Sequence, residues 1–415
     1  MENALLVTIV LDTENSIFKP EEEALEFKLL ATSAGVNIKA EIICHRHKPT
    51  PNYYVGEGKI LEIKNICQQH SITTVMFNND LTPTQQRNIE EILEIKTIDR
   101  TQLILEIFAR HARTPEGKMQ VELAQLEYLL PRLLGKGIIL SRLGGGIGTR
   151  GPGEQKLEVD RRRIKERISR LKQDLNKLRK RRDTTRKKRK EFSLPSVTFV
   201  GYTSAGKSTL FNALVGASQP VSNLLFTTLD PLSRAIILSN NQKIILSDTV
   251  GFIYNLPPHL IEAFKATLEE ITEADILIHV LDVSDLKVEQ RYRIVLDILK
   301  DLAVENKPII TALNKIDLLK DRGWLNKYKI DFPDSVEVSA LTKENLNILL
   351  EMIEKRLQKM LTLVKLKIPL NRMDLVNLIY ETSQILDIKY GQDSIKIKAN
   401  LPIVTTYQLK GYIND

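Results

Sequence analysis

Gly201-Tyr-Thr-Ser-Ala-Gly206-Lys207-Ser208 lies between an apolar β-type run, Ser196-Val-Thr-Phe-Val200, and a helix-forming run, Thr209-Leu-Phe-Asn-Ala-Leu-Val215. It fits G-x-x-x-x-G-K-[ST], a loop whose glycines let backbone N–H groups turn inward around phosphate oxygens. In that geometry Tyr202, Thr203, Ser204 and Ala205 form the cradle and Lys207 reaches the β- and γ-phosphates. Ser208 places its hydroxyl on Mg²⁺, and the helix opening at Thr209 points its positive end at the anion. Strand, loop and helix in this order predict an α/β domain that binds a nucleotide.

The base is read further along. Asn314-Lys315-Ile316-Asp317 follows the apolar strand Pro308–Leu313. A carboxylate at Asp317 can accept from guanine N1–H and N2–H₂, donors that adenine lacks. A site built on such bonds leaves a buried carboxylate unpaired with the wrong base. Ser339, Ala340 and Leu341 then supply a strand-end loop whose backbone faces the guanine oxygen. The expected ligands are therefore GTP and GDP.

Between these elements, an apolar strand from Ile244 ends in Asp248-Thr249-Val250-Gly251. Asp248 is expected to hold Mg²⁺ through a water, and Gly251 to bring its N–H to the γ-phosphate. The loop Phe226-Thr227-Thr228-Leu229-Asp230 offers a further hydroxyl for the metal. Thr228 is chosen over Thr227, although spacing alone does not separate them. Loops of this kind order around a triphosphate and release after hydrolysis. Lys207, Thr228 and Gly251 form the expected catalytic set. Phe252 stands where many GTPases carry a water-orienting Gln, which predicts slow intrinsic turnover raised by a partner.

Charge is unevenly spread. The chain carries a net +8, yet residues 161–190 hold 17 Lys or Arg against 3 Asp or Glu, leaving the remainder acidic. Leu157, Ile164, Ile168, Leu171, Leu175 and Leu178 mark one seam of a long helix. Met119, Leu123, Leu126, Leu130 and Leu133 mark its partner, with Pro131 expected to bend or end that second helix. Residues 135–155 join the two as a Gly- and Arg-rich tip. An antiparallel hairpin follows, with Arg161, Arg162 and Arg163 on a helix that repels itself unless a polyanion neutralises it. RNA is the expected partner, since the apolar seam is used in packing. In the tip, Arg142, Gly144, Gly145, Gly146 and Arg150 fit either a flexible linker or a close backbone approach to RNA.

Residues 1–113 alternate strand-like and helix-like runs, which implies a parallel α/β sheet. The expected division is this domain, the hairpin at 114–192, the nucleotide domain at 193–358, and a small α+β domain at 359–415. Cys44 and Cys67 show no metal or redox spacing, and a reduced compartment is the simplest inference. No apolar run reaches the roughly 20 residues that span a bilayer, and no signal peptide is evident, so a cytoplasmic protein without stable membrane insertion is expected. Oligomeric state is not readable, and a monomer is the working expectation.

The nucleotide motifs occur in the order of translation-factor-related GTPases. The preceding segments resemble the HflX family of ribosome-associated GTPases. These are Tyr54-Val-Gly-Glu-Gly-Lys59, Thr84-Gln-Gln-Arg-Asn88, Ile98-Asp-Arg100, Val121–Leu126, Pro131-Arg-Leu-Leu134 and Gly144–Glu154. The resemblance runs from about residue 20 to 358. It implies a GTPase that binds the large ribosomal subunit and its rRNA and separates stalled or idle ribosomes, the tip loop reaching RNA near the peptidyl-transferase centre. Two positions depart from the family pattern. Ser204 stands where the family usually has Asn, whose counterpart in related GTPases helps bind K⁺, so potassium stimulation is in question. Gln155-Lys156 replaces Thr-Gln at the base of the tip loop.

Overall fold

β1 (Asn3–Leu11) is apolar along almost its whole length, as a parallel strand covered on both faces must be. It pairs in parallel with β2 (Asn37–Arg46) on one side and with β3 (Thr74–Phe77) on the other. β4 (Lys96–Ile98) adds to β3, giving the order β2-β1-β3-β4. Helices α1 (Pro20–Ser33), α2 (Glu57–Gln69), α3 (Pro83–Leu93) and α4 (Arg100–His111) connect and cover the strands. Leu5, Val7, Ile9, Ile60, Ile63, Phe77 and Ile89 form the core. Helix starts are set locally: Thr82 and Gln85 make a reciprocal capping box before α3, and the Asp99 carboxylate accepts from Gln102 N–H at the start of α4. The computed structural model describes residues 2–12, 17–141, 152–191, 194–216, 225–226, 230–257, 260 and 265–413.

The chain divides into two compact units. One is Met1–Lys177 with Ser222–Leu229 and Asn255–Lys265; the other is Leu178–Val221 with Asp230–Tyr254 and Ala266–Asp415. The first unit continues into α5 (Pro115–Ser141) and the start of α6 (Pro152–Glu191). Arg167 pairs with Glu122 at 2.7 Å and Lys172 with Glu127 at 2.7 Å, so the two helices meet through side chains of opposite charge. Leu171 is buried on the seam, with Ile164 and Ile168 half-buried. Pro131 does not end its helix: α5 runs through it. Proline removes one backbone donor, and the next residue, Arg132, donates to the Tyr128 carbonyl of its own helix and to Gln86, Leu81 and Asp99 outside it. The joining loop is correspondingly shorter than residues 135–155.

The second unit is built on six strands: β5 (Ser196–Val200), β6 (Leu232–Ile237), β7 (Lys243–Asp248), β8 (Ile276–Asp282), β9 (Ile309–Asn314) and β10 (Ser335–Glu337). Their order is β10-β9-β8-β5-β7-β6, parallel except for β6 against β7. Around it lie α7 (Lys207–Val215), α8 (Lys265–Glu273), α9 (Val288–Asp301), α10 (Gly323–Asp331) and α11 (Leu346–Gln358). Of α8, residues from Ala266 onward belong to this unit. From β5 the chain passes to β6 and β7 on one side and then to β8 on the other. That reversal opens a crevice at the carboxyl ends of the central strands, where open α/β sheets bind ligands. α11 starts at Leu346, after a bridge between Ser339 and Glu344.

The C-terminal part adds an antiparallel sheet ordered β11-β13-β12, from β11 (Leu361–Pro369), β12 (Gln384–Tyr390) and β13 (Ser394–Pro402). Helices α12 (Met373–Thr382) and α13 (Ile403–Gln408) cover one face over Val364, Leu366, Ile379, Ile395 and Ile397. α12 stops at Thr382, where the chain turns into β12. No helix among the described residues is long and apolar enough to cross a membrane.

Candidate nucleotide site

The phosphate loop emerges from the buried end of β5 and closes at Gly206, whose φ of +93° suits a residue without a side chain. A Cβ there would lie 2.3 Å from Asn314 Nδ2. That close approach has a purpose: Asn314 donates through Nδ2 to the Ala205 carbonyl at 2.9 Å and accepts from Ala340 N–H through Oδ1 at 3.0 Å. One buried amide therefore joins the phosphate loop, the end of β9 and the 339–341 loop. Asp317 accepts from the Ser339 hydroxyl at 2.5 Å, which sets the carboxylate beside the same loop. Lys315 turns through left-handed backbone and pairs with Asp282 at 2.6 Å. Ile316 is buried below, whereas Leu341 is exposed.

Lys207 is buried and its Nζ donates to the carbonyls of Gly201 and Tyr202 at 3.1 and 2.9 Å. Burial pulls its pKa down from 10.5 to about 8, against a smaller upward pull from Asp248. The Ser208 hydroxyl donates to Asp248 Oδ2 at 2.6 Å. A hydroxyl and a carboxylate oxygen brought together beside the phosphate loop are the hard donors that Mg²⁺ prefers. Thr249 donates to the Phe199 carbonyl at 2.6 Å and Val250 is buried, so both anchor the end of β7. Thr209 is half-buried at the start of α7.

Gly251 packs directly on the phosphate loop: a Cβ there would meet Thr203 Cα at 2.6 Å and Lys207 Nζ at 3.0 Å. The next residue, Phe252, is zipped to that loop by its backbone. Its N–H donates to the Gly201 carbonyl at 3.1 Å and its carbonyl accepts from Thr203 N–H at 2.7 Å. The Phe252 side chain is buried and, being a hydrocarbon ring, carries no polar atom that could orient a water. Ser204 is exposed in left-handed backbone with φ +61°, a conformation that Asn tolerates better than Ser.

Two roles were not legible beforehand. The Tyr202 hydroxyl accepts from Tyr254 N–H at 3.0 Å, and the Arg291 guanidinium lies 4.9 Å from its ring centre. A residue expected only as loop backbone is thus a strut between the phosphate loop and the segment after Gly251. His279, opposite Val200 in the sheet, is fully buried and stacked on Tyr292 at 5.0 Å. Burial, with the nearby Lys207 charge, pushes its pKa down to about 3, so it is a neutral aromatic filler.

Phe226 belongs to the first compact unit. Phe226 has its ring buried edge-on against Phe108 at 4.8 Å, and Leu225 N–H donates to the Ser33 hydroxyl at 2.9 Å. Asp230 is half-buried ahead of β6. Thr227, Thr228 and Leu229 lie outside the described residues, as do Arg142, Gly144, Gly145, Gly146 and Arg150 of the tip. Arg162 and Arg163 are exposed on α6, and Arg161 is half-buried.

Four family models match in succession: a GTP-binding GTPase N-terminal region over residues 21–109, its middle region over 111–189, a 50S ribosome-binding GTPase over 196–315, and an HflX C-terminal domain over 327–410. GTPase HflX of Caldanaerobacter subterraneus subsp. tengcongensis is 42% identical, across 99% of this chain and 94% of that protein. The chain belongs to the HflX family. GTPase HflX of Escherichia coli is 39% identical across 97% of this chain and 94% of that protein. Among solved structures, a GTP-binding protein from the archaeon Sulfolobus solfataricus in complex with GDP matches 86% of this chain and 99% of its own, at 28% identity and a TM-score of 0.46. The HflX motifs around residues 84–88, 98–100 and 131–134 meet at one place in this fold. Arg132 donates to Gln86 Oε1, the Leu81 carbonyl and the buried Asp99 carboxylate, at 2.9, 2.8 and 2.9 Å. They form the joint between the N-terminal sheet and α5.

Proposed function

We propose that this GTPase binds the large ribosomal subunit through its basic hairpin and uses GTP to separate stalled or idle ribosomes. The nucleotide half of the reading is carried by the Asn314 bridge, which couples the phosphate loop to the loop beside Asp317. Asp317 reads guanine N1–H and N2–H₂, and the Ala340 region faces the guanine oxygen. Ser208 and Asp248 fit Mg²⁺, Asp248 through a water, with Thr228 as the third donor proposed from sequence. When bound, the ion would neutralise charge developing on the phosphates. Lys207 meets the β- and γ-phosphates, and Gly251, held against Thr203, offers its N–H to the γ-phosphate.

Phe252 supports slow turnover in isolation. Its side chain is buried and apolar, so nothing at that position orients the attacking water. Positioning and electrostatics from Lys207, the loop and Mg²⁺ remain, and a partner completes the site. Potassium is not expected to replace that partner, because Ser204 lacks an amide to hold it. The single-signed charge of α6 supports rRNA as the polyanion gripped by Arg161, Arg162 and Arg163, with the Gly-rich tip as the second contact. Work on ribosomes implies a cytoplasmic protein.

Steady-state GTP hydrolysis with purified large subunits, small subunits or neither, in potassium and in sodium, tests the reading. Strong stimulation confined to the large subunit is expected, with little difference between cations. Equal stimulation by free structured RNA would move the activity to another RNA substrate. Tight GTP binding with no turnover beside either subunit would reduce the protein to a nucleotide-gated binding module.

A further inference from the structure

The outward face of the C-terminal sheet carries a grid of lysines that folding does not explain. The antiparallel register sets Lys367 opposite Lys396 and Lys396 opposite Lys389, so three lysines form one row across the sheet. The next row sets Lys365 opposite Lys398, with Asp387 on the far side of Lys398. The alternating residues Leu366, Ile368, Ile395, Ile397 and Ala399 are buried beneath, and all five lysines are exposed. Asp387, 3.6 Å from Lys389, is the single acid within the three strands.

Neighbouring strands lie about 4.8 Å apart, so like charges placed directly opposite one another weaken a sheet. Lysines often guard an edge strand against unwanted pairing. Lys396 and Lys398 have no such task, because β13 is the central strand and both its edges are already paired. These charges therefore oppose the fold and protect no edge. Tyr390 registers with buried Ile395, away from the lysine rows, so the grid offers no ring for base stacking. Among the described residues of β11, β12 and β13, Leu363 and Leu386 are the exposed large aliphatic side chains, too little to insert among lipids. What remains is a flat array of point cations, suited to closely spaced phosphates of a nucleic-acid backbone.

We propose that this face binds the phosphate backbone of folded, double-stranded RNA, as a cationic surface additional to α6. This goes beyond ribosome binding by the hairpin and does not require it.

The test uses the full chain with Lys365, Lys367, Lys396 and Lys398 all replaced by Gln, a second variant with all four replaced by Arg, and a labelled RNA duplex of about 20 base pairs. Binding is measured across salt from about 50 to about 200 mM, since each phosphate no longer neutralised by a lysine should lower the log–log salt slope by about 0.7–0.9. The Gln variant is expected to lose about 3 from the slope and at least about tenfold in affinity at low salt. The Arg variant should keep both. Melting temperature and RNA-free GTP turnover should not fall, because the substitutions remove like-charge pairs far from the nucleotide motifs in sequence. A salt slope equal to the parent's would overturn the proposal. So would a Gln variant that melts earlier, or one that loses binding only to phosphatidylserine vesicles or polyglutamate while still gripping the duplex.

Discussion

Tyr202 and Lys207 show how single side chains tune the loop they belong to. The Tyr202 hydroxyl holds the backbone just beyond Gly251, and a neutral hydrogen bond contributes roughly 0.5–1.5 kcal/mol net. Tyr202→Phe keeps the ring beneath Arg291 and removes only that acceptor. It should lower kcat about three- to tenfold while leaving KM, GDP affinity and melting temperature nearly unchanged. Steady-state kinetics check this, and a rise in KM at constant kcat would sink it. Lys207 makes a pH prediction. Its pKa is held near about 8 in the nucleotide-free fold, below its ordinary 10.5, whereas a bound phosphate favours the ammonium form. GDP affinity should be flat below pH 8 and fall above it, with proton uptake on binding. Calorimetry in two buffers of different ionisation heat measures that uptake. For the empty protein the sign reverses: the unfolded chain holds the extra proton from about pH 8 up to 10.5, so this lysine's cost to stability shrinks as pH rises through that window.

At the scale of elements, the decisive joint is α5 against the N-terminal sheet. Asp99 is completely buried, caps α4, and is met by Arg132 at 2.9 Å; the same guanidinium lies 3.4 Å from the Tyr128 ring centre. Arg132→Ala would leave a buried carboxylate without its cation, which typically costs about 3–5 kcal/mol. Chemical denaturation should show the first transition moved to lower denaturant. Arg132→Lys should recover little, since an ammonium cannot reach Gln86, Leu81 and Asp99 together in one fork. Full recovery by Lys would mean that charge alone matters at this joint.

For the whole molecule, the proposed function depends on charge that the individual domains do not need. Arg162, Arg163 and Lys165 lie exposed on α6. Changing all three to Gln should weaken binding to large subunits and lower its salt slope by about 2–3, each contact releasing about one counterion. Sedimentation binding across a salt series checks it, and an unchanged slope would remove this end of α6 from the interface. Folding should be unaffected, since the apolar seam around Leu171 and the Glu122–Arg167 pair are untouched.

Sequence by itself determined the parts whose chemistry is local. A phosphate loop, a D-x-x-G turn, an N-K-x-D strand end and a helix cap each work through groups a few residues apart, so spacing alone exposes them. Both parallel α/β sheets were readable for the same reason, from alternating apolar and amphipathic runs. Tertiary structure decided what depends on register and on distant neighbours. Asn314 reaches Ala205 across 109 positions, and Arg132 gathers Leu81, Gln86 and Asp99 from separate elements. Phe226 packs edge-on against Phe108, 118 positions earlier, and α5 runs through Pro131. The lysine rows exist only once β13 lies between β11 and β12. Hydrogen bonds and Coulomb forces act over a few ångströms of space, and only the fold sets which distant residues come that close.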